Sequence, residues 1–489
     1  MAWWNPLSWM RSARTASPSP SLTRRAFSRG SIHGRYDNAQ FTDENQRQWW
    51  MADILSAKAA NSFQVRRTLR MRSRYEVANN PYLYGICNSN ADDLIDTGPT
   101  LQVTTSDTGY NRQIERAFAE WAAEVNLVDK LRTIKLARTV DGEGFLVLKT
   151  VEDLYSSVKL YPCDIEADQV TAPAPAKLDL LWVDGLTLHP ITGEPVSYQV
   201  LEHHPGDLFF RDLNPVKVHT IKKRFVLHWY PKFRPGQVRG IPVFSSALDL
   251  FGELRAYRKA VLQKAQIAAN LTAILKTEAP PDPTGQDTPT PFSTAPIDRG
   301  TFIQLPGGND FEQFETGEPS TTYGMFQEKC LAEACRPLSY PLNRALGTSQ
   351  NFNFSSAKLD HIDYRNGLKV ERADCERRVL NPLFGAWFEE AVMVPGLLPK
   401  RATLETTPHE WHWPGFPSLD PAVDADADIA RINAGLQTWQ QFWASRGYDY
   451  REVLEQQARE KAEIDKLGLV FGEPLKKSET ETVEEAVAA

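Results

Sequence analysis

The chain contains 489 residues, of which 42% are apolar and 24% are charged, and its net charge is −7. This composition is typical of a globular protein with two to four domains. The acidic balance argues against a protein whose main task is to grip nucleic acid, because such binding depends on neutralising phosphates, but it leaves room for one that lets nucleic acid slide past.

Two further classes of structure are not predicted. The sequence has no run of about 18 apolar residues, so it predicts no membrane span. Its five cysteines are scattered without a CxxC pair. This usage suits a reducing compartment and predicts no disulfide framework.

Residues 1–36 form a basic N-terminal arm with six arginines and no aspartate, glutamate or lysine. A transit peptide has this composition, and so does a disordered interaction arm. We favour a mobile arm or a peripheral clamp.

Two helical stretches are predicted next, at residues 42–61 and 63–97. The second carries a cluster of five arginines, which we interpret as a solvated helix face or as intersubunit pairing partners. Direct contact with phosphates is the alternative. The cluster comprises Arg66, Arg67, Arg70, Arg72 and Arg74.

Residues 98–241 mix strands and helices. A strand is predicted at 98–104, helices at 111–125 and 131–140, and a β-rich module between 158 and 229, where short apolar runs alternate with turns. Gly142 and Gly144 form a G-x-G pair that precedes a strand and opens no helix. The pair therefore predicts a hairpin turn and not a dinucleotide site.

The stretch 242–392 organises the rest of the chain. It begins with a long helix over 242–275 that has an apolar and a polar side. A proline-rich excursion follows, with strands predicted at 301–305 and 311–314 around a turn at 306–310. A second helix starts near Ser320, and after a polar loop a third begins at residue 356 and runs for about 36 residues, kinked near Pro382.

The C-terminal part, residues 421–467, is predicted to be helical, with an apolar side formed by Leu436, Trp439, Phe442 and Trp443. Asp424, Asp426 and Asp428 imitate a calcium loop but lack its glycine. An acidic helix N-terminus explains them better. The tail at 471–489 is acidic.

Sites for metals, cofactors and catalysis are not predicted, since the known nucleotide, hydrolase and zinc motifs are missing. His203 and His204 have no cysteine or carboxylate at ligand spacing. A hydrolase with an unrecognised site is the alternative, with Cys163 as its nucleophile. A buried structural cysteine is the stronger interpretation of that residue.

Four segments resemble the lambda-like portal proteins of tailed bacteriophages. They are RYEVANNPY at 74–82 with the helix end at 88–98, RPGQVRGIP at 234–242, NFSSAK at 353–358, and AGLQT at 434–438 with RGYDY at 446–450. Together they extend from about residue 40 to 470 in the family's order. One departure is the segment 336–341, where relatives have a Gly-Val-Pro-like turn.

The resemblance implies an α+β portal fold that assembles into a ring, usually of twelve copies, around a channel for double-stranded DNA. It implies a wing at 37–241 and 356–420, stem helices at 242–275 and 320–338, a small α/β clip at 276–319, a tunnel loop at 339–355 and crown helices at 421–470. The ring would occupy one capsid vertex of the virion, assembled in the host cytoplasm. Its partners would be the terminase large subunit, a head–tail adaptor, the major capsid protein and the scaffold.

Three groups of candidate site residues follow from this placement. Channel-facing candidates on the first stem helix are Arg255, Arg258, Lys259, Gln263, Gln266 and Asn270; its basic groups face either the lumen or a neighbouring subunit. The tunnel loop contributes Ser349, Gln350, Asn351, Phe352, Asn353 and Phe354. The clip, expected to meet the motor and the adaptor, contributes Phe292, Arg299, Phe302 and Phe311.

A virion neck or adaptor protein that only docks on a portal is the alternative. It predicts no pair of stem-like helices flanking a proline-rich span, which this chain is predicted to have.

Overall fold

The computed structural model describes residues 36–40, 42–172, 181–207, 217–270, 274–277, 309–312, 322–350, 352–418 and 420–469. For residues 267–270, 274–277, 309–312 and 322 the description covers the backbone. The N-terminal arm at 1–35, most of the clip and the acidic tail lie outside the described residues. The chain divides into two units, Met1–Ser56 and Ala57–Ala489.

The first unit contains a short helix, α1 (Asp43–Gln48), whose first turn is capped by the Thr42 side chain. The second unit contains the other helices and all the described strands, and the predicted α+β class is confirmed. Its helices are α2 (Ala57–Ala60), α3 (Phe63–Asn79), α4 (Pro81–Ile95), α5 (Thr108–Glu124), α6 (Leu127–Val140), α7 (Leu248–Asn270), α8 (Thr322–Cys335), α9 (Leu342–Leu346), α10 (Phe354–Cys375), α11 (Asn381–Ala391), α12 (Pro421–Asn433), α13 (Trp439–Ala444) and α14 (Tyr450–Leu467).

The described strands form four small antiparallel sheets, in the orders β1-β11, β10-β9, β3-β2-β8 and β4-β5-β6-β7. They are β1 (Thr100–Val103), β2 (Gly144–Thr150), β3 (Leu160–Ile165), β4 (Trp182–Val183), β5 (Leu186–Leu188), β6 (Pro195–Leu201), β7 (Val218–Lys222), β8 (Val226–Trp229), β9 (Ile274–Thr277), β10 (Asn309–Glu312) and β11 (His409–His412).

Strand β2 separates two hydrophobic cores. Successive side chains of a strand point to opposite faces. Phe145 and Val147 therefore enter the core of the β-rich module, while Leu146 and Leu148 enter the larger core shared with the helices. Burial on both faces explains why this strand is an uninterrupted apolar run instead of an alternating one.

The larger core has an aromatic centre that joins sequence-distant elements. Phe118 of α5 lies 5.2 Å from Trp387 of α11 and 5.6 Å from Trp411 of β11, measured between ring centroids. Both contacts are edge-to-face, an arrangement that aromatic quadrupoles favour. Strand β11 pairs with β1, and this partner some 300 residues away was not predicted.

The predicted helices are confirmed with shifted ends. The stretch 42–61 is not one helix, because only α1 and α2 are helical within it. The stretch 63–97 divides at Asn80, whose side chain caps α4, with Pro81 as the first residue of that helix. Proline tolerates this position because the first N–H groups of a helix have no intrahelical partner.

The long helix predicted over 242–275 is shorter at both ends. Val243–Ser246 form a 3-10 turn, α7 begins at Leu248, and Ile274–Thr277 form β9 instead of a last helical turn. β9 pairs with β10, so Asn309 and Asp310 lie in a strand and not in the predicted turn. The strand predicted at 301–305 lies outside the described residues.

The third long helix begins two residues earlier than predicted, at Phe354, and is interrupted before Pro382. Residues Glu376–Leu380 form a π-helical turn between α10 and α11. Proline has no N–H to bond the carbonyl of the residue four positions earlier. The π turn shifts the hydrogen-bond pattern from the fourth to the fifth residue just before this proline. Single π turns of this kind occur inside α-helices.

In the C-terminal part, Asp420 caps α12, and Asp424, Asp426 and Asp428 lie inside this helix. Of the three, only Asp424 is in the first turn, so the prediction of an acidic helix N-terminus holds for that residue. The apolar side predicted there is largely uncovered, because Leu436 and Trp439 are more than half exposed. None of the helices in the described residues is long and apolar enough to cross a bilayer.

Gly142 and Gly240 bring two backbone segments into direct contact. A Cβ at Gly240 would overlap the Gly142 carbonyl, and a Cβ at Gly142 would overlap the backbone of Ile241. Gly142 also has φ +89°, a conformation that favours glycine. The contact ties the turn before β2 to the strap that leads into α7, which we define as residues 231–247.

We predict that Gly240→Ala destabilises the fold severely, by roughly 3 kcal/mol or more, since backbone on both sides must shift. Gly324→Ala is the matched control, because a Cβ at this position in α8 meets open space and alanine favours helix. Thermal and denaturant unfolding of both variants measure the difference. Equal stability of the two would contradict the contact.

Candidate functional site

The two helices that flank the proline-rich excursion pack side by side. Tyr257 of α7 stacks on Tyr323 of α8 with ring centroids 5.9 Å apart, and contacts Phe326 at 4.6 Å. Leu254 and Leu331 are both buried in the large core. Leu250, one turn before Leu254, lines the same cavity as Glu333, so the helices run antiparallel. They form a helical hairpin, which we use as the name for α7 and α8.

Arg255 of the hairpin is held within its own subunit. Its guanidinium donates to Glu76 of α3 at 2.6 Å and lies over the ring of Tyr75, 5.0 Å from the centroid. This hydrogen bond raises the pKa of Arg255. The sequence analysis predicted that Arg255 faces either the lumen or a neighbouring subunit. Its ion pair with α3 of the same subunit was not among these alternatives.

The remaining candidates on α7 continue the exposed surface. Arg258, Lys259, Gln263 and Gln266 are all exposed, and spacings of four, four and three residues place the last three on the face of Arg255. Asn270 is the last residue of α7 and is described by its backbone. Arg258, three residues after Arg255, adjoins the same face. The exposed residues beyond Arg255 thus include two cations, Arg258 and Lys259, and two amides.

The predicted tunnel loop contains a short helix, α9, and its last residues belong to a helix N-terminus. Asn353 caps α10 by accepting from the Ser355 amide at 3.1 Å, and Phe354 is its first residue, 60% exposed. The Asn353 side chain is therefore engaged in a cap and does not hang free in a loop. Ser349 and Gln350 are exposed, Phe352 is half-buried, and Asn351 lies outside the described residues.

Of the clip candidates, the structure places only Phe311, through its backbone in β10, opposite Leu275 of β9. Phe292, Arg299 and Phe302 lie outside the described residues.

The arginine cluster of α3 divides into two groups. Arg67 and Arg72 are exposed. Arg66 and Arg70 are buried, so a solvated face or intersubunit pairing is wrong for these two. They belong instead to a set of intrachain ion pairs centred on Glu143, which we call the Glu143 network.

Glu143 has no exposed surface and accepts hydrogen bonds from four groups. Arg239 donates through Nε and Nη2 at 2.6 to 3.0 Å, the Gly240 amide at 2.9 Å, His228 Nε2 at 3.1 Å, and Arg70 completes the set. The carboxylate therefore joins α3, β8 and the strap at a single point.

The outer members of the network give the buried guanidinium groups further partners. Arg239 also donates to the carbonyls of Val170 and Asp184, at 2.8 and 2.7 Å. Arg66 pairs with the Asp184 side chain, and Arg74 pairs with Asp141 at 2.7 Å and Asp168 at 2.8 Å. A buried ion pair needs such additional hydrogen bonds to offset its desolvation.

The ionisation states follow from these contacts. Desolvation alone would raise the pKa of Glu143, but the charges of Arg239 and Arg70 outweigh it, and the pKa lies well below its ordinary value. Burial lowers the pKa of His228 to about 4. A neutral His228 donates to Glu143 through Nε2 and accepts from the Tyr198 hydroxyl at Nδ1, so both ring nitrogens are used.

The histidine pair considered for a metal has carboxylates nearby in space, though not in sequence. His204 Nε2 lies 3.4 Å from Glu166 and 3.7 Å from Asp168. Asp168 is already bonded to Arg70 and Arg74, and Glu166 lies 3.3 Å from Arg74. Guanidinium groups thus neutralise the charge that a metal ion would need.

Cys163, the nucleophile considered for a hydrolase, is a residue of β3. It is partly exposed, so the expectation of a buried cysteine is wrong. Its Sγ lies 3.7 Å from the carbonyl oxygen of Asp164.

The Glu143 network is the feature that sequence reasoning missed. Its paired residues are separated by 55 to 118 positions along the chain, so no local sequence spacing reveals them. The one available signal was the segment RPGQVRGIP at 234–242, whose Arg239 and Gly240 both bind Glu143.

The family described as "Phage portal protein, lambda family" matches residues 43–372. This span contains the helical hairpin, the strap and the Glu143 network, and it covers more than half of the chain. The chain therefore belongs to the lambda family of phage portal proteins. The resemblance noted at 434–450 lies beyond the matched span.

Curated relatives are more distant. A "Probable portal protein" of Halomonas phage phiHAP-1 is 25% identical over 283 residues, which are 56% of this chain and 54% of the relative. "Portal protein B" of Escherichia phage lambda is 23% identical over 272 residues, 50% of this chain and 51% of the relative. The chain spans about half the length of the curated relatives it matches.

Solved structures with a similar backbone include the neck of an empty GTA particle computed with C6 symmetry. It has 16% identity, a TM-score of 0.46 and coverage of 85% of this chain and 98% of that one. An HK97 family phage portal protein from Corynebacterium diphtheriae has 13% identity, a TM-score of 0.28 and coverage of 71% and 96%.

We predict that Glu143→Gln lowers the free energy of unfolding by about 3–5 kcal/mol, because it removes the central counter-charge that the buried Arg70 and Arg239 share. Glu120→Gln removes an exposed pair with Arg116 and should change the stability little, because solvent screens such pairs. Urea unfolding measures both. A Glu143 variant as stable as the Glu120 control would show that the network does not hold the fold.

Acid is predicted to weaken the fold partly through His228. An unfolded chain protonates this histidine near pH 6.5, whereas the folded chain resists protonation until about pH 4. Stability is therefore lost as the pH falls through this window, by about 2 kcal/mol between pH 6.5 and 5. Glu143, with its lowered pKa, adds a further loss below pH 4.5.

The check is the melting temperature between pH 7.5 and 4.5. His228→Gln should be less stable at neutral pH but should weaken less on acidification, while His219→Gln, at an exposed position of β7, should follow the parent curve. Parallel curves for His228→Gln and the parent protein would contradict the assignment.

Proposed function

We propose that this chain is the portal subunit of a tailed bacteriophage. Copies assemble into a ring, with twelve as the expected number, at one vertex of the capsid. Double-stranded DNA is packaged and later ejected through the central channel. The observation that supports this most is the family match over residues 43–372.

The helical hairpin is the element that we assign to the channel wall. α7 carries Lys259, Gln263 and Gln266 on one exposed face, and packs against α8 on its apolar side. A conduit must touch phosphates weakly, since each neutralised phosphate adds a salt-dependent contribution to binding. A few cations on each α7, Arg258 and Lys259 beside the amides, supply weak contacts of this kind. The same hairpin favours a portal over a neck or adaptor protein.

We assign partners to the other segments from their positions in the chain. The proline-rich segment at 276–319 would meet the terminase large subunit during packaging and the head–tail adaptor afterwards. The wing would contact the major capsid protein and the scaffold. The subunit would carry no catalytic activity of its own, with ATP hydrolysis supplied by the terminase. Assembly would take place in the host cytoplasm, and the mature location would be the virion.

We predict that Lys259→Ala and Arg255→Ala have different effects. Lys259→Ala should leave ring formation intact. In a plot of log binding constant against log salt concentration, its slope should be less steep by about 0.9 for each phosphate that is no longer neutralised. Arg255→Ala should instead destabilise the subunit by about 1–3 kcal/mol, because Glu76 is left without its partner.

Fluorescence anisotropy of a labelled duplex with purified rings, at several salt concentrations, measures the first effect, and thermal unfolding the second. Lys149→Ala, at an exposed position on β2, is the control for removal of a surface charge. If rings of Lys259→Ala bind duplex DNA with the parental affinity and the parental salt dependence, this face of α7 does not contact DNA in the channel.

A further inference from the structure

Helix α9 lies inside the predicted tunnel loop and is too short to be stable by itself. It contains five residues, Leu342–Leu346, whereas isolated helices shorter than about 12–15 residues are marginal in water. Contacts with the rest of the subunit must therefore hold it. Part of this support is apolar, since Ala345 is buried and Leu342 and Leu346 pack against the large core.

Arg344 supplies a polar attachment of α9. Its guanidinium donates to both carboxylate oxygens of Asp93 on α4, with Nη2 at 3.0 Å from Oδ1. It also lies over the ring of Tyr340, 5.5 Å from the centroid. Two-point pairing of a guanidinium with a carboxylate is the strong and geometrically specific form of an ion pair. Because both side chains are partly buried, solvent screens this pair less than it screens surface pairs.

Asp93 is itself held in place by α10. Its side chain accepts a hydrogen bond from the Tyr364 hydroxyl at 2.9 Å, and its main-chain carbonyl accepts one from Arg372 at 3.2 Å. Both donors belong to α10. In addition, Asn343 Nδ2 of α9 lies 3.3 Å from His361 Nε2 of α10. Helix α9 is therefore joined to a point that α4 and α10 fix together.

The exposure of the chain changes where α9 ends. Residues 341–346 are buried or half-buried, whereas residues 347–350 are exposed. Gly347 has φ +69°, the left-handed conformation with which glycine commonly ends a helix. Since α10 begins at Phe354, the segment between the two helices is residues 347–353. The tunnel-loop candidates Ser349 and Gln350 lie in this segment.

We propose that Arg344 is a positioning residue that limits the DNA-contacting part of the tunnel loop to residues 347–353. While its pair with Asp93 is formed, α9 stays on the subunit and only this segment can extend. Stretched and folded back at its middle, the segment reaches about 12 Å from its ends. Release of α9 would lengthen it to residues 341–353, which reach about 22 Å. The part that concerns DNA rests on the proposed function, whereas the attachment of α9 does not.

Amide hydrogen exchange of the full-length protein tests the attachment. In Arg344→Gln the amides of residues 342–348 should exchange about 10-fold faster than in the parent protein, because α9 opens more often. Arg344→Lys keeps the charge without the two-point geometry and should be intermediate. Arg132→Gln is the matched control, because Arg132 pairs with Asp92, the residue before Asp93 on α4. It should leave the exchange of α9 unchanged.

Crosslinking tests the consequence for DNA. Assembled rings are loaded with a duplex that carries a photoreactive diazirine on its phosphates, and the crosslinked residues are mapped by mass spectrometry. In the parent protein and in Arg132→Gln, the crosslinks within residues 339–355 should be confined to 347–353. In Arg344→Gln they should extend into 341–346. A residue that merely stabilised the fold would not move this boundary.

The outcomes are distinguishable. Unchanged exchange of α9 in Arg344→Gln overturns the inference and leaves the proposed ring and channel untouched. Crosslinks that already include residues 342–346 in the parent protein do the same, and so do crosslinks that stay within 347–353 when α9 exchanges faster. If rings of the parent protein give no crosslink between residues 339 and 355, the loop does not meet DNA, and its assignment to the channel fails together with the inference.

Discussion

Glu143 is the point on which the architecture depends. A fully buried carboxylate is tolerated only when its charge is balanced and its lone pairs are occupied. Here the balancing groups come from α3, β8 and the strap, so a single side chain fixes the relative position of three elements. The Gly142–Gly240 contact beside it allows the strap to approach closely enough for the Gly240 amide to reach the same carboxylate.

This arrangement has a direct consequence for the helical hairpin. The strap ends where α7 begins, so its anchorage sets the direction in which α7 leaves the core. Arg255 adds a second attachment further along the helix, through Glu76 of α3. Arg70 and Glu76 lie on the same helix, so α3 is joined to the strap through Glu143 and to the first half of α7 through Arg255. If α7 lines the channel, it must take the same position in every subunit of the ring. These two attachments fix that position.

The sequence predicted those features that local chemistry decides. The apolar run at β2 is a strand, as the pattern indicates, whereas the helix boundary at Asn80-Pro81 was missed inside the stretch predicted over 63–97. The Glu143 network was not predicted, because Arg66 and Arg70 look like surface charges until the distant Asp184 and Glu143 are brought to them. Pairing between β1 and β11, far apart in the chain, was missed for the same reason. The end of α7 was misplaced, since residues 274–277 pair with β10 and helical spacing alone could not reveal this.

In the candidate site, too, some features were predicted from the sequence and others were not. Apolar spacing predicted that α7 is helical, and the family resemblance implied that it pairs with α8 as two stem helices. Contacts of Tyr257 with Tyr323 and Phe326 show that the two helices pack side by side. The roles of individual polar residues were harder to predict, because a cation on a helix face can serve solvent, a neighbour or its own subunit. Arg255 serves its own subunit, and Asn353 serves as a helix cap. Lys259, Gln263 and Gln266 remain the side chains that we expect to meet DNA.

The most direct test is an electron-microscopy reconstruction of the purified, assembled protein. We predict a closed ring whose central bore admits duplex DNA, with α7 and α8 of every subunit nearest the axis. A particle without a bore, or a bore lined by the β-rich module with the hairpin on the outside, would contradict the central claim.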